Sequence, residues 1–242
     1  MKKNVFILGA NSDLAKSLSL DLASKGYDLT LFSRNINYIE AHITKLKNEY
    51  GINVHVHSVD LNNFDLKSQN IIVNDLYGII CCAGYLGDQK NANFDPIEVN
   101  NIFNSNLTGI IKFINLFKFE LIKKNKGFIL GVSSIAGSRG RKKNYYYGSA
   151  KAGLTNYLSG LRFDLYKNNI DVFTVLPGFI NTKMIKNLKT PSFLTIQPEA
   201  LSKIILLSIQ KRKFVVYQSS LWKLIDFIVK ITPDFIFKKI SF

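Results

Sequence analysis

Val5-Phe6-Ile7-Leu8-Gly9-Ala10-Asn11-Ser12-Asp13-Leu14-Ala15 is the stretch on which the reading of the whole chain turns. Four apolar residues end at a glycine, and a small polar turn then opens a helical pattern from about Leu14 to Ser24. The basic start Met1-Lys2-Lys3 imitates the head of a signal peptide. The apolar run is too short for one, however, and it breaks at Asn11, Ser12 and Asp13, so it reads as a first strand.

Outward from there the same alternation repeats. Apolar runs near 28–32, 53–57, 77–81, 127–132 and 171–176 are each followed by a helical or loop stretch. Alternating strands and helices predict an α/β fold: one doubly wound parallel sheet with helices on both faces. Ligands of such sheets bind at the carboxyl ends of the strands, near the switch in strand order. Residues 1–215 are expected to form the dinucleotide-binding and catalytic unit. Residues 216–242 are expected to be a basic, aromatic, amphipathic helical tail, part of the same domain or turned toward membrane or substrate. At 242 residues a second full domain would be cramped.

Composition narrows the function less than the pattern does. An apolar fraction of 47% with 20% charged residues is that of a folded globular chain. The excess of 32 Lys and Arg over 17 Asp and Glu gives +15, which would draw nucleic acid, an anionic membrane or phosphorylated ligands, or simply reflect a lysine-rich composition. No basic recognition helix or stacking motif accompanies the charge, so nucleic acid is not expected as a partner. The adjacent pair Cys81 and Cys82 cannot staple distant segments, and a reducing cytoplasm fits. His55 and His57 share one strand face, but no third ligand stands at a suitable spacing, so no metal is expected.

The turn Gly9-Ala10-Asn11-Ser12-Asp13-Leu14 offers free helix N–H groups to a pyrophosphate, although a strand-to-helix turn can carry Gly and Asn for conformational reasons alone. Ser33 and Arg34 close the second strand where an adenosine ribose would lie. An acidic residue there would select NAD, whereas Arg suits a 2′-phosphate, so NADP(H) is expected. Asp60-Leu61 follows the third strand, where Asp60 could accept from an adenine amino group or cap a helix.

Tyr147-Gly-Ser-Ala-Lys151, thirteen residues after Ser134, carries the chemistry. Positions i and i+4 share a helix face, so Tyr147 and Lys151 project together. The lysine is expected to lower the phenol pKa toward working pH, making Tyr147 a general acid/base, with Ser134 holding the reacting carbonyl. The bland alternative is an aromatic face, Tyr145 to Tyr147, beside a surface lysine.

Together these motifs resemble the short-chain dehydrogenase/reductase family over nearly the whole chain. The resemblance implies a Rossmann-type domain, hydride transfer at nicotinamide and a homo-oligomer. It implies that Asn106 is the active-site asparagine holding a water connected to Lys151, and that Lys151 also binds the nicotinamide ribose. Ala83 and Gly84 lie in the segment after the fourth strand, and Pro177, Gly178 and Thr182 in the segment covering the nicotinamide. The chain departs from the family at Asp13 and Ala15, where glycines are common, and at Cys81-Cys82, where asparagines are.

Gly84 to Gln89, Gly137 to Arg141, Gly160-Leu-Arg162 and the tail are similar to bacterial reductases of cell-envelope polysaccharide pathways. That implies a keto-sugar substrate, possibly linked to a polyprenyl phosphate. Two alternatives stand beside it: a reductase of fatty acyl or other apolar ketones, and a nucleotide-binding scaffold without chemistry. The tail helix from Leu221 to Ile231 is broken by Lys223, Asp226 and Lys230, which speaks against a membrane span. An interfacial helix at the inner face of the membrane, a cover over the substrate cleft, and a subunit contact all remain open.

Overall fold

A computed structural model of the chain describes residues 2–64, 71, 73–186 and 190–239. In chain order, β1 (Asn4–Leu8), α1 (Asp13–Ala23), β2 (Asp28–Ser33), α2 (Glu40–Tyr50), β3 (Val54–Ser58) and β4 (Leu76–Cys81) form the first half. There follow α3 (Pro96–Phe103), α4 (Gly109–Lys124), β5 (Gly127–Val132), α5 (Tyr145–Asp164) and β6 (Ile170–Leu176). The short strands β7 (Phe179–Ile180) and β8 (Thr195–Ile196) pair with each other outside the main sheet. Last come α6 (Pro198–Gln210), β9 (Val215–Tyr217), α7 (Ser220–Ile231) and α8 (Asp234–Phe237).

The main sheet is parallel, with seven strands in the order β3-β2-β1-β4-β5-β6-β9. This is the doubly wound Rossmann-type arrangement that the alternation predicts. Its strand order switches direction between β1 and β4, so the crevice opens where Gly9 and Cys82 leave the sheet. The central strands are buried on both faces, and β1 shows how: Val5 and Ile7 pack with α1 and α6 residues such as Leu18, Leu22 and Leu201, while Phe6 and Leu8 face α4 and α5.

On the second face Phe6, Phe32, Phe113 and Phe117 meet tilted or edge to face, with ring centroids 4.8 to 5.8 Å apart. Burying each such ring contributes roughly 1.5–3 kcal/mol, which fixes the sheet rigidly beneath the crevice. Capping sets the helix limits. Ser12 accepts from the Ala15 N–H at 3.2 Å to start α1, and Asn125 ends α4 in the left-handed conformation.

Two features lie outside the predicted elements. β9 adds a seventh strand, so Val216 and Tyr217 belong to the sheet and the tail proper begins at Ser219. Between α3 and α4 the chain runs through a π-helical turn, Asn104–Thr108, which carries Asn106.

Candidate active site

One cavity of about 530 Å³ opens at the carboxyl ends of the strands. It is lined from every strand of the switch region: Gly9, Asn11, Ser12, Asp13 and Leu14 after β1, Ser33 and Arg34 at the end of β2, and Asp60 and Leu61 after β3. Ala83 and Gly84 after β4, Ser134 after β5, Tyr147 and Lys151 on α5, and Pro177, Gly178 and Thr182 after β6 complete it. Asn106 alone among the sequence-predicted residues lies behind the wall.

The turn after β1 is built for close approach. Gly9 has φ +80°, and a Cβ there would stand 2.5 Å from the Ala83 backbone nitrogen, so only glycine lets the ends of β1 and β4 meet. Gly9 and Ala10 donate their N–H groups to Phe32 O at 2.9 and 3.0 Å, which ties the turn to β2. Asn11 Oδ1 is buried with no hydrogen-bond partner among the described residues, an acceptor that a ribose hydroxyl would satisfy. Asp13, where the family's common pattern has glycine, accepts from the Lys183 N–H at 3.0 Å and so ties the start of α1 to the segment after β7. The N-terminus of α1 with these groups fits a dinucleotide phosphate.

Arg34 is exposed at the rim, with Asn35 and Tyr38 beside it in the lining. Ser33 donates to Asn35 O at 3.1 Å. Asp60 accepts from the Asn62 N–H at 3.0 Å in a bend, so its carboxylate shapes its own loop. His57 stacks on Phe32 at 5.5 Å between ring centroids, a packing role on the edge strand β3.

Ser134, Tyr147 and Lys151 converge because α5 runs unusually close to the turn after β5. Gly148 makes this possible: a Cβ there would lie 2.7 Å from Ala136 O. Ser134 accepts from the Ala136 N–H at 3.1 Å, and a hydrogen bond links its hydroxyl to Tyr147. Lys151 is buried, donates to Val132 O at 2.9 Å, and has its ammonium 5.7 Å from the Tyr147 ring centre.

The electrostatics correct one expectation. Burial pushes the Tyr147 phenol up, to about 12, and only the Ser134 hydrogen bond opposes it. Lys151 does not pull the phenol down, because burial lowers its own pKa to about 8 and its ammonium is spent on Val132 O. Tyr147 is therefore held as a proton donor at neutral pH. Cys82, which lines the cavity beside Lys151, is likewise pushed up to about 12 by burial, which leaves it a thiol.

Asn106 is fully buried and fully engaged. Its amide donates to Tyr85 O at 2.6 Å and Ile102 O at 2.8 Å, while its oxygen accepts from the Tyr85 N–H at 3.2 Å. It clamps the segment after β4 to the π-helical turn, and through that segment it positions Gly84 at the cavity.

The tail closes the far side. Trp222 of α7 lines the cavity, donates its indole N–H to Leu194 O at 3.0 Å and meets Phe179 edge to face. Asp226, on the inner side of α7, is buried and accepts from Ser138, from Tyr217 at 2.8 Å and from Lys230 at 2.7 Å. Burial pushes this carboxyl up, but those three bonds outweigh burial and hold it below the ordinary carboxylate range. Arg139 donates to Val229 O, Thr232 O and Asp234 and lies 4.1 Å from the Phe237 ring centre. The loop after Ser134 thus holds the tail in place. Arg141, in the same loop, lines the cavity as well. Trp222, Arg141 and Asn144 are lining residues that sequence reasoning did not name as site residues.

Known proteins resemble this chain in sequence and in fold. The family model described as short chain dehydrogenase matches residues 3–192. An uncharacterized oxidoreductase of Mycobacterium tuberculosis is 27% identical over 242 residues, covering 97% of this chain and 96% of that one. A 3-oxoacyl-acyl-carrier-protein reductase of Buchnera aphidicola is 28% identical, covering 77% of each chain. Among solved structures, a short-chain dehydrogenase from Sphingobium yanoikuyae in complex with NADPH superposes with a TM-score of 0.81 at 19% identity, over 99% of this chain and 96% of that one.

Proposed function

This chain belongs to the short chain dehydrogenase family, and from that we propose that it is an NADP(H)-dependent oxidoreductase interconverting a ketone and a secondary alcohol. The observation that carries this reading is the single cavity that joins the turn after β1 and Arg34 to Ser134, Tyr147 and Lys151. The NADPH held by the Sphingobium structure supports the choice of cofactor, and the 3-oxoacyl reductase among the relatives supports a carbonyl substrate.

When bound, the reduced cofactor supplies a hydride to the carbonyl carbon. Ser134 donates a hydrogen bond to the carbonyl oxygen, and Tyr147 gives that oxygen its proton. Lys151, held by Val132 O beside the phenol, would offer its ammonium to the nicotinamide ribose. Gly9, Asn11, Ser12 and the N–H groups opening α1 hold the phosphates and ribose. Arg34 holds the 2′-phosphate as a charge-assisted partner. Asn106 acts through the Tyr85 backbone, keeping Gly84 in place.

Arg34 gives the sharpest test of the cofactor. Arg34→Asp is expected to weaken NADPH binding about 10–100-fold, since one charge-assisted contact is lost and a repulsive one gained, while NADH binding holds or improves. Titration of cofactor fluorescence measures both. Equal loss for the two cofactors would show that Arg34 does not read the phosphate.

For the substrate we favour a keto sugar carried on a lipid phosphate. α7 supports this: its inner face contributes Trp222 to the cavity, while Leu224, Phe227, Ile228, Ile231 and Phe235 stand exposed on the outside of the tail. Lys223, Lys238 and Lys239 stand exposed in the same tail, while Lys230 pairs with Asp226. No helix among the described residues is long and apolar enough to cross a membrane. An apolar stripe with exposed lysines in the same tail suits an anionic bilayer surface, with each lysine worth about 1 kcal/mol there. The protein is expected to sediment with vesicles containing phosphatidylglycerol and not with phosphatidylcholine vesicles, and Phe227→Glu is expected to release it. Retention in the supernatant with both lipids would end the membrane reading and leave the ketone reductase intact.

A further inference from the structure

We propose that Asn144 is a specificity-determining subsite for hydroxyl groups on the substrate. The inference rests on the ketone-reductase reading above and deepens it.

Asn144 occupies the N-cap position of α5, where an asparagine side chain ordinarily accepts from the helix N–H groups. Here it makes no such cap. Its backbone is nevertheless fixed, because its N–H donates to Arg141 O at 3.1 Å and its carbonyl accepts from Gly148 at 2.8 Å. Asn144 lines the cavity three residues before Tyr147, and its Oδ1 is buried with no hydrogen-bond partner among the described residues. Gln89 presents the complementary case. Its Oε1 accepts from the Tyr146 N–H at 3.3 Å, which anchors the amide to the first turn of α5, while its Nε2 is buried without a partner among the described residues.

The Asn144 oxygen, in the cavity wall beside the catalytic tyrosine, is thus desolvated and unsatisfied, a cost that a bound hydroxyl donor would remove, whereas Gln89 does not line the cavity. A polyol presents such a donor on every carbon. An apolar chain presents none, and it would leave the oxygen buried and unpaired. Leu86, Ile135, Phe179 and Trp222 add apolar walls to the same cavity, and Arg141 adds a second polar group. Apolar walls with a polar edge match a ring that carries C–H faces and hydroxyl rims.

Trp222 is the one tryptophan of the chain and it lines this cavity, so its fluorescence reports binding there without any turnover. With NADP⁺ present, myo-inositol is expected to bind more tightly than cyclohexanol. Asn144→Leu is expected to weaken inositol binding about tenfold or more, the loss of one buried hydrogen bond, and to leave cyclohexanol unchanged. Asn144→Ser, which withdraws the amide and supplies an ordinary helix cap, is expected to do the same, so it decides the matter if Asn144→Leu does not fold. Equal affinity for the two ligands, or equal weakening of both, overturns the subsite. The reductase reading is read separately, from NADPH oxidation with 2-keto-myo-inositol and with cyclohexanone: no oxidation with either ketone would sink that reading, whatever the fluorescence shows.

Discussion

Replacing Tyr147 with phenylalanine is expected to lower ketone reduction by about 10²–10⁴-fold, the usual contribution of a positioned proton donor, while NADPH affinity stays within about twofold. The ring remains to pack on α5, so the loss isolates the proton. The pH dependence follows from the same pair. Tyr147, pushed up to about 12, is protonated at every working pH and does not limit reduction. Lys151, lowered to about 8, is charged below that value and neutral above it. Reduction is therefore expected to be flat at lower pH and to fall as pH rises through about 8, whereas a lysine at its ordinary value would keep it flat to about 10. In Lys151→Met the limb near 8 should vanish and the rate be low throughout. A Tyr147→Phe enzyme of full activity would remove Tyr147 from the chemistry altogether.

The second large effect lies in the tail. Asp226→Ala strands the groups that converge on this buried carboxylate, Ser138, Tyr217 and Lys230. Breaking such a cluster costs about 3 kcal/mol, roughly 6–12 °C in the melting temperature of a chain this size. The loss falls on the substrate side, because Ser138 sits in the loop after Ser134 and α7 brings Trp222 to the cavity. NADPH affinity should thus survive where stability does not. Calorimetry with and without NADPH checks both halves, and an unchanged melting temperature would show that α7 is held by its apolar face alone.

The parts of this molecule that were legible from residue order are those whose cause is local. The run Val5 to Leu8 followed by Gly9 announces a strand and a phosphate turn, because chain direction and backbone freedom are properties of neighbours. Tyr147 and Lys151 share a face for the same reason. The seventh strand was not legible: Val215–Tyr217 spans three residues, too few for any periodicity, and it exists because β6 offers an edge. Lys151 was expected to acidify Tyr147, but burial and a carbonyl 19 residues away in sequence decide the outcome, and neither is visible in i and i+4 spacing. Asn106 reads as a site residue from the family likeness, and the clamp its amide forms with Tyr85 and Ile102 is explained only by the π-helical turn. The tail carries apolar residues on two sides of α7, so its pattern could not say which side turns inward. The buried pair Trp222 and Asp226 settles the direction.

The strand order also governs how the protein comes to be able to bind anything. The turn after β1 is complete only when Leu8 pairs with Cys81, a contact that closes a loop of more than seventy residues, and such distant pairings form slowly. Nucleotide affinity is therefore expected to await that pairing rather than to grow with each strand. A ligand that recognises only the finished crevice then acts as a sink for the native state, raising its population by mass action. In a cell rich in that nucleotide, the enzyme's lifetime becomes tied to the supply of its own cofactor.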